Sequence, residues 1–280
     1  MRMKGWSLGL TIIGLVVVIF ALVFLLAIFP AMAKMPADYE QEYAFEGSIK
    51  QLNSETMSLD EIPTEVARIL TATGVEDDVL LLQQDINIYV AQSETLLSST
   101  SDVYGLDRTT RENVPGYGNM DRTGNFTLPA GVEQKTYSFW ASSAMTALPA
   151  NFLGEEEYHG ITVYNFEIDV SDLPAGTMEG TEAPRTMDVL TEIKTEPVSG
   201  VPVYLSTTTT MKAQLSAGDP TPIYINSMAY TSETIDEMVD LAKSSRTMIL
   251  WVSIYGFWIA IVVGAALLVT GVVMAFRRKE

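Results

Sequence analysis

Two uncharged apolar runs, one at each end of the chain, constrain its architecture more than anything between them. Trp6–Phe29 is 24 residues without a charge, and Ile249–Phe276 is 28. A helix needs about 20 apolar residues to cross the hydrocarbon core of a bilayer, so each run suffices alone. Arg2 and Lys4 precede the first run, and Arg277, Arg278 and Lys279 follow the second. Short basic flanks stay on the cytoplasmic side. The pattern predicts a two-pass protein of the cell membrane, both termini cytoplasmic and residues 34–247 or so extracellular. Ala31-Met32-Ala33 has the small-x-small form of a signal-peptide cleavage site. A signal h-region is only about 7–15 residues, so the longer run predicts an uncleaved anchor.

Charge sharpens once the ends are set aside. The segment between them keeps 34 of the 35 acidic residues and 12 of the 17 basic ones, a net of −22. Such a surface repels phosphates, which argues against nucleic acid or anionic headgroups as partners. Cysteine is absent, which removes thiol nucleophiles, Cys-ligated zinc and Fe–S clusters from consideration. At roughly 210 residues the segment can bury a substantial core without disulfides. Asn125-Phe126-Thr127 is the one glycosylation sequon, and it gains meaning from a topology that places Asn125 outside.

Within that segment the signal is period two. Tyr39, Gln41, Tyr43, Phe45, Gly47 and Ile49 alternate with Glu40, Glu42, Ala44, Glu46, Ser48 and Lys50. Leu80, Leu82, Gln84, Ile86, Ile88 and Val90 form a second such face, and Thr162, Tyr164, Phe166, Ile168 and Val170 a third. The Thr- and Val-rich stretch Val201–Leu215 and then Tyr224–Thr231 also suit strands. One short helix is expected over Thr64–Thr73, with Val66, Ile69 and Leu70 at helical spacing after Pro63. Breaker clusters at Val114–Gly124 and Asp172–Arg185 read as loops. The predicted fold class is membrane-anchored and β-rich (α+β): one antiparallel β-domain between N- and C-terminal transmembrane helices. Its divisions fall at 1–33, 34–232 and 233–280.

The return to the membrane reads as helix. Thr234 and Glu237 stand in capping-box spacing, and Ile235, Met238, Leu241 and Ala242 follow as an apolar stripe. No Pro or Gly interrupts the chain from Thr234 to Gly256, so one helix is expected to continue into the second span. Trp251, Tyr255 and Trp258 suit a membrane–water interface. Gly256, Ala260, Gly264 and Gly271 line one side of that span, and Gly14 and Ala21 are their counterparts in the first. Small residues so spaced let helices approach closely, here within the chain in preference to an oligomer.

Signs of catalysis are weak. Gly5-Trp6-Ser7-Leu8-Gly9 matches the nucleophile-elbow pattern but opens a membrane helix, where that chemistry has no scaffold. His159, the one histidine, reads as an exposed turn residue. Glu76-Asp77-Asp78 and Glu155-Glu156-Glu157 supply hard oxygen ligands without the spacing that wraps a calcium ion. No catalytic residue, cofactor or metal site is assigned. The candidate functional loop is Tyr117–Gly124, with Tyr117, Asp121 and Arg122, although a loop that merely knits a β-domain together looks the same.

Gly116-Tyr117-Gly118-Asn119-Met120-Asp121-Arg122-Thr123-Gly124 is the most specific local feature, followed by Pro129-Ala130-Gly131 and Tyr137-Ser138-Phe139-Trp140. With Gly154-Glu155-Glu156 leading to Gly160, and Tyr164-Asn165-Phe166, the chain resembles the PorA-like family of unknown function, membrane proteins of actinobacteria and archaea. The resemblance covers nearly the whole chain and implies a pore. Two uncharged helices cannot line an aqueous channel unless many copies assemble. The layout also looks like that of the CD36 scavenger receptors, without their ectodomain cysteines. The expected function is a non-enzymatic cell-envelope protein whose acidic outer domain serves binding, scaffolding or assembly. Its expected partners are the lipid bilayer, other envelope proteins and further copies of itself. The alternatives are CD36-like reception of a hydrophobic or lipid ligand, a carboxylate-based hydrolase and a pore subunit.

Overall fold

The computed structural model describes residues 4–28, 34–178, 180, 182–215 and 218–276. They fall into two compact units, one from Met35 to Lys243 and one built from both chain ends, Met1–Lys34 with Ser244–Glu280. Arg2, Ala31-Met32-Ala33, Arg277, Arg278 and Lys279 lie outside the described residues.

The larger unit is an antiparallel meander. Its strands are β1 (Glu40–Leu52), β2 (Leu59–Glu76), β3 (Val79–Val90), β4 (Leu96–Asp107) and β5 (Asn113–Gly118). They continue as β6 (Tyr137–Ala141), β7 (Thr146–Tyr158), β8 (Ile161–Thr177), β9 (Pro184–Thr195), β10 (Pro202–Ala213) and β11 (Thr221–Tyr230). The order in the sheet is β5-β4-β3-β2-β1-β11-β10-β9-β8-β7-β6, so the first and last strands pair at its centre. Tight turns set the register. Asp77-Asp78 and His159-Gly160 both adopt positive φ, the two-residue hairpin geometry that matches strand twist.

Eleven strands laid flat at about 4.8 Å spacing would span roughly 50 Å. Side chains from nine of them nevertheless line one cavity, so the sheet curls on itself. Its two edges meet through Asn125, whose backbone bridges Glu112 beside β5 and Phe139 of β6. Inward faces are apolar: Tyr43 and Phe45 on β1, Leu80 and Leu82 on β3, Ile168 on β8 and Val189 on β9 are buried. The Phe126–Val132 stretch enters from the β5–β6 connection, with Phe126, Leu128 and Val132 buried. Outward positions such as Glu42, Glu46 and Glu65 are exposed.

Several local expectations are corrected. Thr64–Thr73 is the middle of β2, not a helix. Its β-branched residues favour a pleated strand, and Thr64, Val66 and Leu70 are buried at period two. The Asp172–Arg185 region is mostly strand, with register shifts between Val170 and Leu173 and between Pro174 and Thr177. The breakers within β8 make bulges, where Asp172 takes φ 58°, and Gly180 lies in the turn before β9.

Helix α2 (Ser232–Leu250) follows β11. Its cap is Thr231, not Thr234: the Thr231 hydroxyl accepts the Thr234 N–H at 3.2 Å. Thr234 instead faces β1, accepting the Ala44 N–H at 3.1 Å and donating to the Ala44 carbonyl at 3.1 Å. The buried stripe is Thr234, Met238, Val239 and Ala242, whereas Leu241 is exposed. The β-unit thus extends to Lys243, into the helix and past the division expected at residue 232.

The other unit is a helix pair. Helix α1 (Lys4–Val23) ends in a π-helical stretch, Phe24–Ile28. A second π-helical stretch, Trp251–Gly256, separates α2 from α3 (Phe257–Phe276). The Ser253 hydroxyl donates to the Ile249 carbonyl at 2.6 Å, which helps to re-route the backbone ladder there. The helical course expected after Thr234 therefore continues, but not as one regular α-helix. Gly5–Leu26 and the run Ser232–Met274 are each long and apolar enough to cross a membrane.

Helices α1 and α3 run antiparallel in contact, as the small residues predict. A Cβ on Gly14 would lie 2.6 Å from the Leu268 backbone nitrogen, and one on Gly271 would lie 2.7 Å from that of Thr11. Ser7, Gly14 and Ala21 are all buried, seven residues apart, and Gly264 and Gly271 repeat that interval on the partner. A seven-residue interval keeps one seam facing the other helix. Ala260 is partly buried on this side, whereas Gly256 is exposed in the π-helical stretch and lies outside the tight seam.

Candidate functional site

The candidate loop is built as structure. Arg122 is 4 % exposed and stacks its guanidinium 4.0 Å from the Tyr104 ring centroid. It pairs with Asp102 at 2.8 Å and donates to the Val103 carbonyl at 3.0 Å. Asp121 takes no part in that pair; it is exposed and accepts the Gly116 N–H at 2.8 Å. Tyr117 donates its hydroxyl to Asp77 at 3.2 Å, and that bond to a carboxylate holds the phenol above its usual pKa. Gly118, at φ +83°, sits where a Cβ would lie 2.3 Å from the Val103 carbonyl oxygen. These contacts tie the loop to β4 and to the β2–β3 turn.

The sequon is internal. Asn125 is 4 % exposed, and its side-chain amide donates to the Thr110 carbonyl at 3.0 Å. A glycan on that nitrogen cannot coexist with the closure it makes between the sheet edges. Arg111 secures the same region, donating to the carbonyls of Leu128 at 2.6 Å, Gly200 at 3.1 Å and Ser199 at 3.2 Å. Burial draws its pKa down from the usual arginine value. His159 occupies its exposed hairpin turn, 3.5 Å from Asp236. Among the described residues no three His, Asp or Glu side chains converge as a metal site requires.

A different site emerges inside the curled sheet. A cavity of about 170 Å³ is lined mostly by apolar and aromatic side chains, among them Phe45, Ile86, Phe126, Trp140 and Met228. A smaller one of about 40 Å³ holds Tyr39, Tyr43 and Tyr230. Arg68, on β2, lines both. Its Nε donates to Gln84 Oε1 at 2.7 Å, and Gln84 Nε2 donates to the Tyr104 hydroxyl at 3.2 Å. Gln84 and Tyr104 are buried, so this cross-strand chain fixes the guanidinium at one edge.

The rest of that guanidinium is open. Among the described residues no carboxylate lies within salt-bridge distance of Arg68, and neither Nη has a hydrogen-bond acceptor. Its other neighbours are rings, with the Phe126 centroid 5.2 Å and the Tyr43 centroid 5.8 Å from its central carbon. Tyr43 and Tyr230 do not neutralise it. Burial raises both phenols well above their ordinary pKa despite the nearby positive charge, so both stay protonated at neutral pH. The arrangement is a cation with free N–H donors at the wall of a small, largely apolar chamber.

Sequence reading missed Arg68 because it placed Thr64–Thr73 on a helix. The signal was present: at period two, Arg68 falls on the same face as Thr64, Val66 and Leu70.

A comparison with curated proteins returns no match. The family model described as Porin PorA matches residues 6–273, which takes in both terminal helices and the whole β-unit. By that match this cell-envelope membrane protein belongs to the Porin PorA family.

Proposed function

We propose that the protein is a two-helix-anchored envelope protein whose β-domain lies outside the cytoplasmic membrane and acts by binding, not by catalysis or conduction. The observation that carries this reading is the largely apolar interior of the curled sheet. Phe45, Tyr104, Phe166, Leu80, Leu82 and Leu128 are fully buried there, where a conducting barrel would need a continuous polar lumen. The outward faces of β1 and β2 carry Glu42, Glu46 and Glu65 in place of the apolar band that a membrane barrel turns to lipid. The basic flanks at both ends favour cytoplasmic termini, and the net charge of −22 between them favours a solvated outer domain. Exposed Trp251, Tyr255 and Trp258 suit the outer interface. The bilayer is the first partner on this reading, and other envelope proteins are the next.

The cysteine-free chain makes the test direct. In intact cells a membrane-impermeant maleimide should label Glu94→Cys, in the exposed β3–β4 connection, and should spare Glu280→Cys until the cells are permeabilised. The opposite labelling pattern, or stepwise conductance from purified protein in planar bilayers, would overturn the reading.

A further inference from the structure

We propose that the cavity floored by Arg68 is a binding site for a small amphipathic carboxylate, with the carboxylate on the two free Nη groups and an apolar body in the chamber. The inference rests on the reading of the β-domain as a binding domain and names its ligand class. Arg68 is half-buried, and a partly desolvated cation costs free energy unless it is paired. Two other arginines of this domain show how the fold meets that cost: Arg122 has Asp102, and Arg111 has three carbonyls. Arg68 has the Gln84 oxygen alone on Nε. A planar guanidinium with its Nη pair free presents the geometry that a carboxylate takes in two parallel hydrogen bonds.

The chamber supplies the rest of the recognition. Its volume of about 170 Å³ is close to the roughly 150 Å³ of an apolar cavity known to take benzene. That sets the body of the ligand at about one aromatic ring or a short branched chain. Phe126, Trp140 and Met228 offer it an apolar wall. The Tyr104 hydroxyl, which contacts Ser142 Oγ at 3.3 Å as well as Gln84, holds the polar chain beneath the guanidinium. A neutral molecule of the same shape would leave the guanidinium unpaired, and a cation would be repelled by it.

The test uses three probes of one skeleton: 4-fluorophenylacetate, 2-(4-fluorophenyl)ethanol and 2-(4-fluorophenyl)ethylamine. Binding to the full-length chain in nanodiscs is read by ¹⁹F NMR against empty nanodiscs. A charge-assisted pair predicts that the carboxylate binds at least about tenfold more tightly than the alcohol, with the amine weakest. Arg68→Met should bring the carboxylate down to the level of the alcohol while leaving alcohol binding in place. Ala141→Leu, which fills the cavity from β6 and keeps the guanidinium, should abolish the binding of all three. The fold of each variant is checked by circular dichroism, and if Arg68→Met fails to fold, Ala141→Leu decides alone. No carboxylate binding by the wild type, equal binding of the three probes, or unchanged carboxylate binding in a folded variant would each overturn the proposal. These outcomes are separate from those of the labelling and conductance tests. Inverted topology or a conducting pore would sink the broader reading, whereas loss of probe selectivity sinks this site alone.

Discussion

Arg122 and Arg68 are both connected to Tyr104, one by stacking on its ring and the other through Gln84, yet they stand in opposite electrostatic states. Arg122 is enclosed by a carboxylate and backbone carbonyls, and the loop that bears it is held shut. Arg68 keeps its Nη groups unpaired beside a cavity. The contrast teaches that a conspicuous Gly-rich loop can be wholly structural, while an unremarkable strand residue carries the open chemistry. The physical difference is whether folding itself supplies the counter-charge.

Removing Arg122 should cost the most. Arg122→Met takes one of two donors from the Val103 carbonyl, removes the donor of the Met120 carbonyl, and leaves Asp102 with the Asn119 amide in place of a charge. A loss of about 3–4 kcal/mol in chemical denaturation of the full-length chain is expected, and a loss under about 1 kcal/mol would erase the contrast. Alkaline pH tests the surroundings of Arg68. Burial raises the pKa of Tyr43 and Tyr230 in the folded state, so their contribution is complete below about pH 10 and is lost as pH climbs through the folded values. At pH 11 the loss should be about 1.4 kcal/mol per phenol. A chain that gained stability there would mean that a phenolate pairs with Arg68.

Arg111→Met should lose about 2 kcal/mol, since three carbonyls lose a donor while a desolvated cation is removed. Asp102→Asn keeps a hydrogen-bond acceptor for Arg122 and removes the charge. Because Asp102 is partly exposed, about 1 kcal/mol is expected in the same denaturation experiment. Arg68→Met should change stability least, within about 1 kcal/mol, because relief of an unpaired charge offsets the donor lost by buried Gln84 Oε1 while the apolar stem is kept. A loss above about 2 kcal/mol would place Arg68 with Arg122 as a structural residue.

Much of this fold was legible because its signals are local. The β1 and β3 faces follow directly from alternation, and Tyr43, Phe45, Leu80 and Leu82 are buried where that pattern puts them. Gly14, Ala21, Gly264 and Gly271 announced the close helix pair through spacing alone. The misread segment, Thr64–Thr73, is one where both periods fit: Val66, Ile69 and Leu70 suit a helix, and Thr64, Val66 and Leu70 suit a strand. Pairing with β1 on one side and β3 on the other settled the matter, and neither partner is visible in a local window. The sequon failed for a related reason. Three residues specify Asn125-Phe126-Thr127, but only closure of the sheet determines that Asn125 is its internal bridge.

By itself the sequence determined the two apolar helices, the seam of small residues between them and the β-rich character of what lies between. These depend on composition and on periods of 2, 3.6 or 7, which act over a few turns of chain. Only the tertiary structure decided which cations meet their counter-charges. Asp102 is 20 residues before Arg122, and Gln84 is 16 beyond Arg68. Whether a guanidinium is sealed or left open depends on how eleven strands curl around one interior, and the free energy of pairing a charge depends on distance in space, not along the chain.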